Sequence, residues 1–221
     1  MRKGELTRHA ILERATALAS RHGLEGVTIG RLSRELRLSK SGLFAHFRSK
    51  DAMQVQVLRF AGERFVEQVV RPSLEAARGE PRVRELLERW LAWERSRTVP
   101  GGCLFVAAAV ELDDRPGEAR DELVRLQRDW LDFIATCCRK AMSEEHFAPT
   151  TDPDQFAHDL NAIMLGYHQA SRLLHDPAAE PLARAAFEAR LAAARARPPV
   201  SRRRSARVAR GRSTAAERRA S

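Results

Sequence analysis

The sequence predicts an all-α fold, and three observations predict it. Ala, Leu, Arg and Glu are abundant, β-branched runs are few, and a single Tyr occurs in 221 residues, a composition of strong helix formers. Apolar residues recur at three- and four-residue spacing along much of the chain. Cap residues punctuate those stretches at the places where helices should start and stop.

The elements follow in order. Ile11, Leu12, Ala15, Leu18 and His22 share helical spacing, and Gly23 stands where a left-handed C-cap would end a helix over 6–22. Thr28 offers an N-cap hydroxyl to a short helix over 28–36, whose apolar face is Ile29, Leu32 and Leu36. Arg37 to Ser39 make a tight break. Leu43 and Phe47, four apart, then give a very short third helix capped near Ser39. A fourth helix begins at Ser49 with a stripe of Met53, Val57, Phe60, Ala61 and Phe65, and ends or kinks near Pro72. Further helices are predicted over 81–96, 102–112, 117–142, 153–175 and 177–195, with Asp152-Pro153 and Asp176-Pro177 as cap-and-Pro starts.

The chain is long enough to bury a substantial core without staples. Its three cysteines are an odd count without disulfide or zinc spacing, which points to a reduced, cytoplasmic setting. The longest apolar run, Cys103 to Val110, is far below the roughly 20 residues of a membrane span, and no leader-like run opens the chain, so neither membrane insertion nor export is expected.

The net charge of +10 is unevenly placed, with +7 on residues 1–50, −6 on 51–194 and +9 on 195–221. A basic head, an acidic body and a basic tail suggest ends that meet a polyanion. Three divisions are therefore expected: a head over 1–48, a helical body over 49–195, and a disordered Arg-rich tail over 196–221. The tail either grips phosphates or merely solubilises; composition leaves both open.

Two short helices joined by a few residues behind a supporting helix describe a helix-turn-helix. Its second half, "KSGLFAHF", suits a recognition helix. Ser41 and Gly42 are small enough for close backbone approach, and Lys40 can donate to guanine or to phosphate. Leu43 and Phe47 anchor the helix, while Phe44 points the other way, towards a thymine methyl or a sugar edge. His46, Lys50 and the amides opening the fourth helix suit phosphate.

The stretch Gly23 to Met53, "GLEGVTIGRLSRELRLSKSGLFAHFRSKDAM", resembles the N-terminal domain of TetR-family transcriptional regulators. The resemblance implies phosphate contacts at Thr28, His46 and Lys50, base-edge contacts at Lys40, Ser41 and Gly42, and an aromatic groove contact at Phe44. Two positions depart from the family pattern. Phe44 replaces the usual Tyr and loses a hydroxyl donor, and Arg37 stands where Gly is common, which strains the turn if φ is positive there. The resemblance further implies a homodimer built on the last two long helices, a palindromic double-stranded DNA operator, and a small-molecule inducer that releases a repressor.

An inducer pocket would lie in the body, with Trp90, Trp93, Cys103, Phe105, Tyr167 and His168 as candidates, although ordinary core packing is the readier account of any single one. Cys103 follows two glycines at a helix start, where a thiol pKa can fall, so an electrophile- or redox-responsive repressor is a second expectation beside a small buried residue. His168 and His175 are seven apart, about 10.5 Å along a helix, so no metal site is expected. No cofactor motif and no catalytic constellation stand out, which ranks a helical enzyme or carrier behind a regulator.

Overall fold

The computed structural model describes residues 3–195; the Arg-rich segment 196–221, with its predicted arm, lies outside the described residues. The described chain is helical from end to end: α1 (Lys3–His22), α2 (Ile29–Leu36), α3 (Lys40–Phe44), α4 (Lys50–Phe65), a π-helical turn (Val66–Val70), α5 (Arg71–Glu75), α6 (Glu80–Glu94), α7 (Leu104–Leu112), α8 (Glu118–Ser143), α9 (Pro153–Arg172) and α10 (Ala179–Ala194). One isolated β-bridge, Phe147 to Arg195, is the only extended pairing among the described residues.

The head forms where the caps predict. Thr28 accepts from the Arg31 N–H and starts α2, Ser39 accepts from the Gly42 N–H and starts α3, and Ser49 accepts from the Ala52 N–H and starts α4. Gly23 closes α1 with φ of 74°. Arg37 adopts φ of 53° in the left-handed region, so the turn between α2 and α3 does hold a side chain where glycine would be unstrained. His22, placed on the apolar stripe by spacing, is exposed at the last residue of α1.

Pro72 does not end the helix, which continues from α4 through the π-helical turn into α5. Its ring cannot donate to a carbonyl four residues back and would collide with it, and the wider π turn immediately before it absorbs the mismatch. In α9, Asp152 caps both Asp154 and Gln155 amides as predicted, but the helix stops at Arg172 because His175 turns left-handed at φ of 52°. Asp176 accepts from the Ala178 N–H and organises the turn, so α10 starts after Pro177 rather than at it. Leu174 is 65% exposed beyond that end.

One apolar core runs from Ile11, Leu32, Leu43 and Phe47 in the head to Trp93, Ile134, Phe156 and Leu191 in the body. The two parts are joined at α1. There Gly101 donates its N–H to Ser20 Oγ at 3.1 Å, and a Cβ on Gly101 would stand 1.8 Å from the Ser20 carbonyl oxygen. Only glycine fits that approach.

Candidate functional site

The head presents a short polar ridge. Leu43 and Phe47 are 0% and 1% exposed and lock α3 onto α1 and α2, while Phe44, one position on, is 58% exposed. Lys40, Ser41 and Gly42 on the first turn are exposed beside it, as is Thr28 at the start of α2; His46 is half-buried against Phe47. Thr28, Lys40, Ser41, Gly42 and Phe44, five of the positions expected to face DNA, are thus all exposed. Lys50, exposed on the first turn of α4, is not free: its Nζ lies 2.5 Å from Glu25 Oε2. Glu25 carries no motif signal, and sequence reading passed over it.

The body encloses a cavity of about 690 Å³, within the roughly 300–1,000 Å³ usual for small-molecule sites. Its wall is aromatic and aliphatic, with Phe65, Trp90, Phe105, Trp130, Phe133 and Met164 prominent. Phe65 organises it, packing edge-on against Trp130 at 4.9 Å, Trp93 at 5.5 Å and Phe105 at 5.8 Å between ring centroids.

Of the six residues predicted for a pocket, Trp90, Cys103 and Phe105 line this cavity. Trp93 stands behind Phe65 as buried support. Tyr167 packs edge-on against the far side of Trp90 at 5.9 Å. His168 binds away from the cavity, its Nδ1 2.6 Å from Oε1 of the buried Glu94. Glu94 Oε2 in turn accepts from the Cys103 N–H at 2.8 Å, so this carboxylate ties α6, α9 and the start of α7 together. Phe65, Trp130 and Phe133 were legible only as core: helical spacing marks a buried face and does not say whether that face meets a neighbour or a void.

Charges gather at the cavity's edge. Glu122 is 7% exposed; burial raises its pKa, but donors from Arg125 and Arg59 outweigh that and hold the carboxyl below its usual value. Arg125 also bonds Asp129 at 2.7 Å. These lining guanidinium groups are therefore already compensated by carboxylates.

Cys103 is the opposite of an activated thiol. Burial, with the Glu94 carboxylate second, pushes it up to about 12. Its helix-start position is overridden by desolvation, and Cys137 and Cys138 are likewise raised by burial to about 11. Iodoacetamide at neutral pH is therefore expected to leave all three cysteines unmodified in the folded protein and to modify them on unfolding, as read by mass spectrometry. Rapid labelling of Cys103 in the folded state would restore the reactive-thiol reading.

Comparison with known proteins agrees with this architecture. The family model for "Bacterial regulatory proteins, tetR family" matches residues 11–57, and that for "Tetracyclin repressor-like, C-terminal domain" matches residues 79–187. A TetR transcriptional regulator from Chloroflexus aurantiacus superposes with a TM-score of 0.76 at 24% identity, covering 87% of this chain and 96% of that one. A TetR-family regulator from Cytophaga hutchinsonii gives 0.77 at 20% identity, covering 90% and 99%. AibR, solved in complex with isovaleryl coenzyme A and operator DNA, gives 0.62 at 22% identity, covering 80% and 95%. At these identities the superpositions speak to the fold, and no curated protein sequence matches the chain. With a helix-turn-helix head and a helical body each matching its family counterpart along the chain, this protein belongs to the TetR family of transcriptional regulators.

Proposed function

We propose that the protein is a ligand-responsive repressor that binds a palindromic operator as a two-fold dimer and is released by a small molecule held in the body. The head over 1–48 reads DNA, and the body over 49–195 dimerises and senses. Phe44 carries the reading: a large apolar ring held 58% exposed beside Lys40, Ser41 and Gly42 has no partner within its own fold to justify that position. Thr28, His46 and Lys50 then serve phosphates, and the shared fold of AibR with its ligand and operator supports the pairing of the two sites.

The ligand class follows from the wall of the cavity. Its ring-lined depth holds no charged side chain: at the edge Arg59 and Arg125 pair with Glu122 and Asp129, Glu63 and Arg71 lie exposed at the mouth, and the Cys103 thiol is neutral. An ionised group buried there would find no counter-ion, so the inducer is a neutral apolar ring system, with any polar group left at the charged mouth.

A footprint on the DNA upstream of its own gene tests the first half. Protection of a palindrome with half-sites about one turn, roughly 34 Å, apart is expected; diffuse, salt-labile retardation alone would refute specific reading. Lys40→Ala and Phe44→Ala are each expected to weaken operator binding by about 1–3 kcal/mol, measured by fluorescence anisotropy. For the second half, quenching of Trp90 and Trp130 fluorescence should follow titration with 2-methylnaphthalene and not with 2-naphthoate.

A further inference from the structure

Four groups converge on Glu25, in the turn between α1 and α2. Its Oε2 lies 2.5 Å from Lys50 Nζ, and its Oε1 accepts from Gln54 Nε2 at 3.1 Å and lies 3.5 Å from Arg115 Nη1. Its backbone N–H donates to Glu111 Oε2 at 3.0 Å. The bonds from Lys50 and then Gln54 hold the carboxyl below its usual value, so it is ionised at neutral pH. Gly23 makes the approach of Glu111 possible, because a Cβ there would stand 1.6 Å from Glu111 Oε1.

Both helices that meet here also wall the cavity. α7 carries Phe105 and Val106 at its cavity end and Glu111 at the Glu25 end. α4 carries Gly62 and Phe65 at the cavity and Lys50 on its first turn. Lys50 thus faces two anions that exclude each other: a DNA phosphate would have to displace the Glu25 carboxylate, or sit against it and be repelled.

We propose that Glu25 is a charge gate on the DNA-binding surface: it withholds Lys50 from the phosphate backbone, and α7 with the loop that follows it, through Glu111 and Arg115, sets how firmly it does so. The inference rests on the reading of the head as the DNA-binding surface. Arg115, already 3.5 Å from the carboxylate, is placed to keep Glu25 when Lys50 leaves it. Because Lys50 and Glu25 are both partly exposed, the gate acts by a modest factor, roughly two- to fivefold per subunit.

The test is the salt dependence of operator affinity for the full chain, using the duplex upstream of its own gene, with Glu25→Gln, Glu25→Ala, Lys50→Gln and Glu25→Gln/Lys50→Gln. Both Glu25 variants should bind about fourfold to twenty-fivefold more tightly per dimer at low salt. The slope of log affinity against log salt should steepen by about 1–2, one phosphate per subunit. Lys50→Gln should abolish both gains in the double variant. Weaker binding, an unchanged slope, or a gain that survives Lys50→Gln would overturn the gate. A wild-type chain that shows no selective retention of any duplex would instead overturn the DNA-binding reading, and the gate with it.

Discussion

Replacing Phe65 by Ala is expected to destabilise the protein by about 3–5 kcal/mol, the range for emptying a buried aromatic site. Phe65 is 8% exposed and is the shared partner of Trp93, Phe105 and Trp130, which come from α6, α7 and α8. Its loss removes three edge-to-face contacts at once, each worth about 0.5–1.5 kcal/mol beyond area burial. It also joins two voids, since the space vacated opens directly onto the existing cavity. A chain of this size loses roughly 2–4 °C of melting temperature per kcal/mol, so thermal unfolding followed by circular dichroism should fall by about 10–15 °C. A drop of only a few degrees would mean that the walls collapse into the space, and that the cavity is softer than its ring geometry implies.

Ala186→Arg is expected to leave the subunit folded and to reduce operator affinity by at least about a hundredfold. Ala186 is exposed on α10, on a face shared with Leu182 and Ala189; Ala162 and Gly166 of α9 and Leu173 just after it are likewise exposed. Leu173 and Leu182 are 70% and 60% exposed, and the small residues between them permit close helix approach, which is the surface a two-fold four-helix contact requires. In the proposed two-fold dimer, a guanidinium at that seam would bring two like charges together across it. Each half-site then binds alone, and the loss of linkage between two recognition helices is worth about 10²–10⁴ in affinity. Sedimentation should report a monomer, with helical content unchanged. A variant that stays dimeric and keeps its operator would place the subunit contact elsewhere.

The caps and the buried face of the head were legible because their information is local. Thr28, Ser39 and Ser49 cap the amides that their spacing predicts, and the alternation of buried Leu43 and Phe47 with exposed Phe44 follows from helical periodicity. Helix ends in the body shifted by two or three residues where left-handed turns intervened, as at His175, because no glycine announced them. The cavity-lining residues were less legible. Trp90 and Phe105 line the cavity, whereas Trp93, an equally apolar neighbour on α6, supports it from behind.

Sequence by itself thus determined what short-range physics decides: all-α class, the order and approximate ends of the helices, the capped reader at the N-terminus and the segregation of charge. Tertiary structure decided everything that depends on residues far apart in the chain. The N-terminal position of Cys103 suggested a lowered pKa, yet burial and Glu94, nine residues earlier, raise it to about 12. Lys50 reads as an open phosphate contact, yet Glu25, 25 residues earlier, holds it, and Glu111 of α7, 86 residues further on, holds Glu25. The physical reason is the same in each case: desolvation and ion pairing are set by distance in space, and spacing along the chain encodes that distance only within a helix turn or a cap.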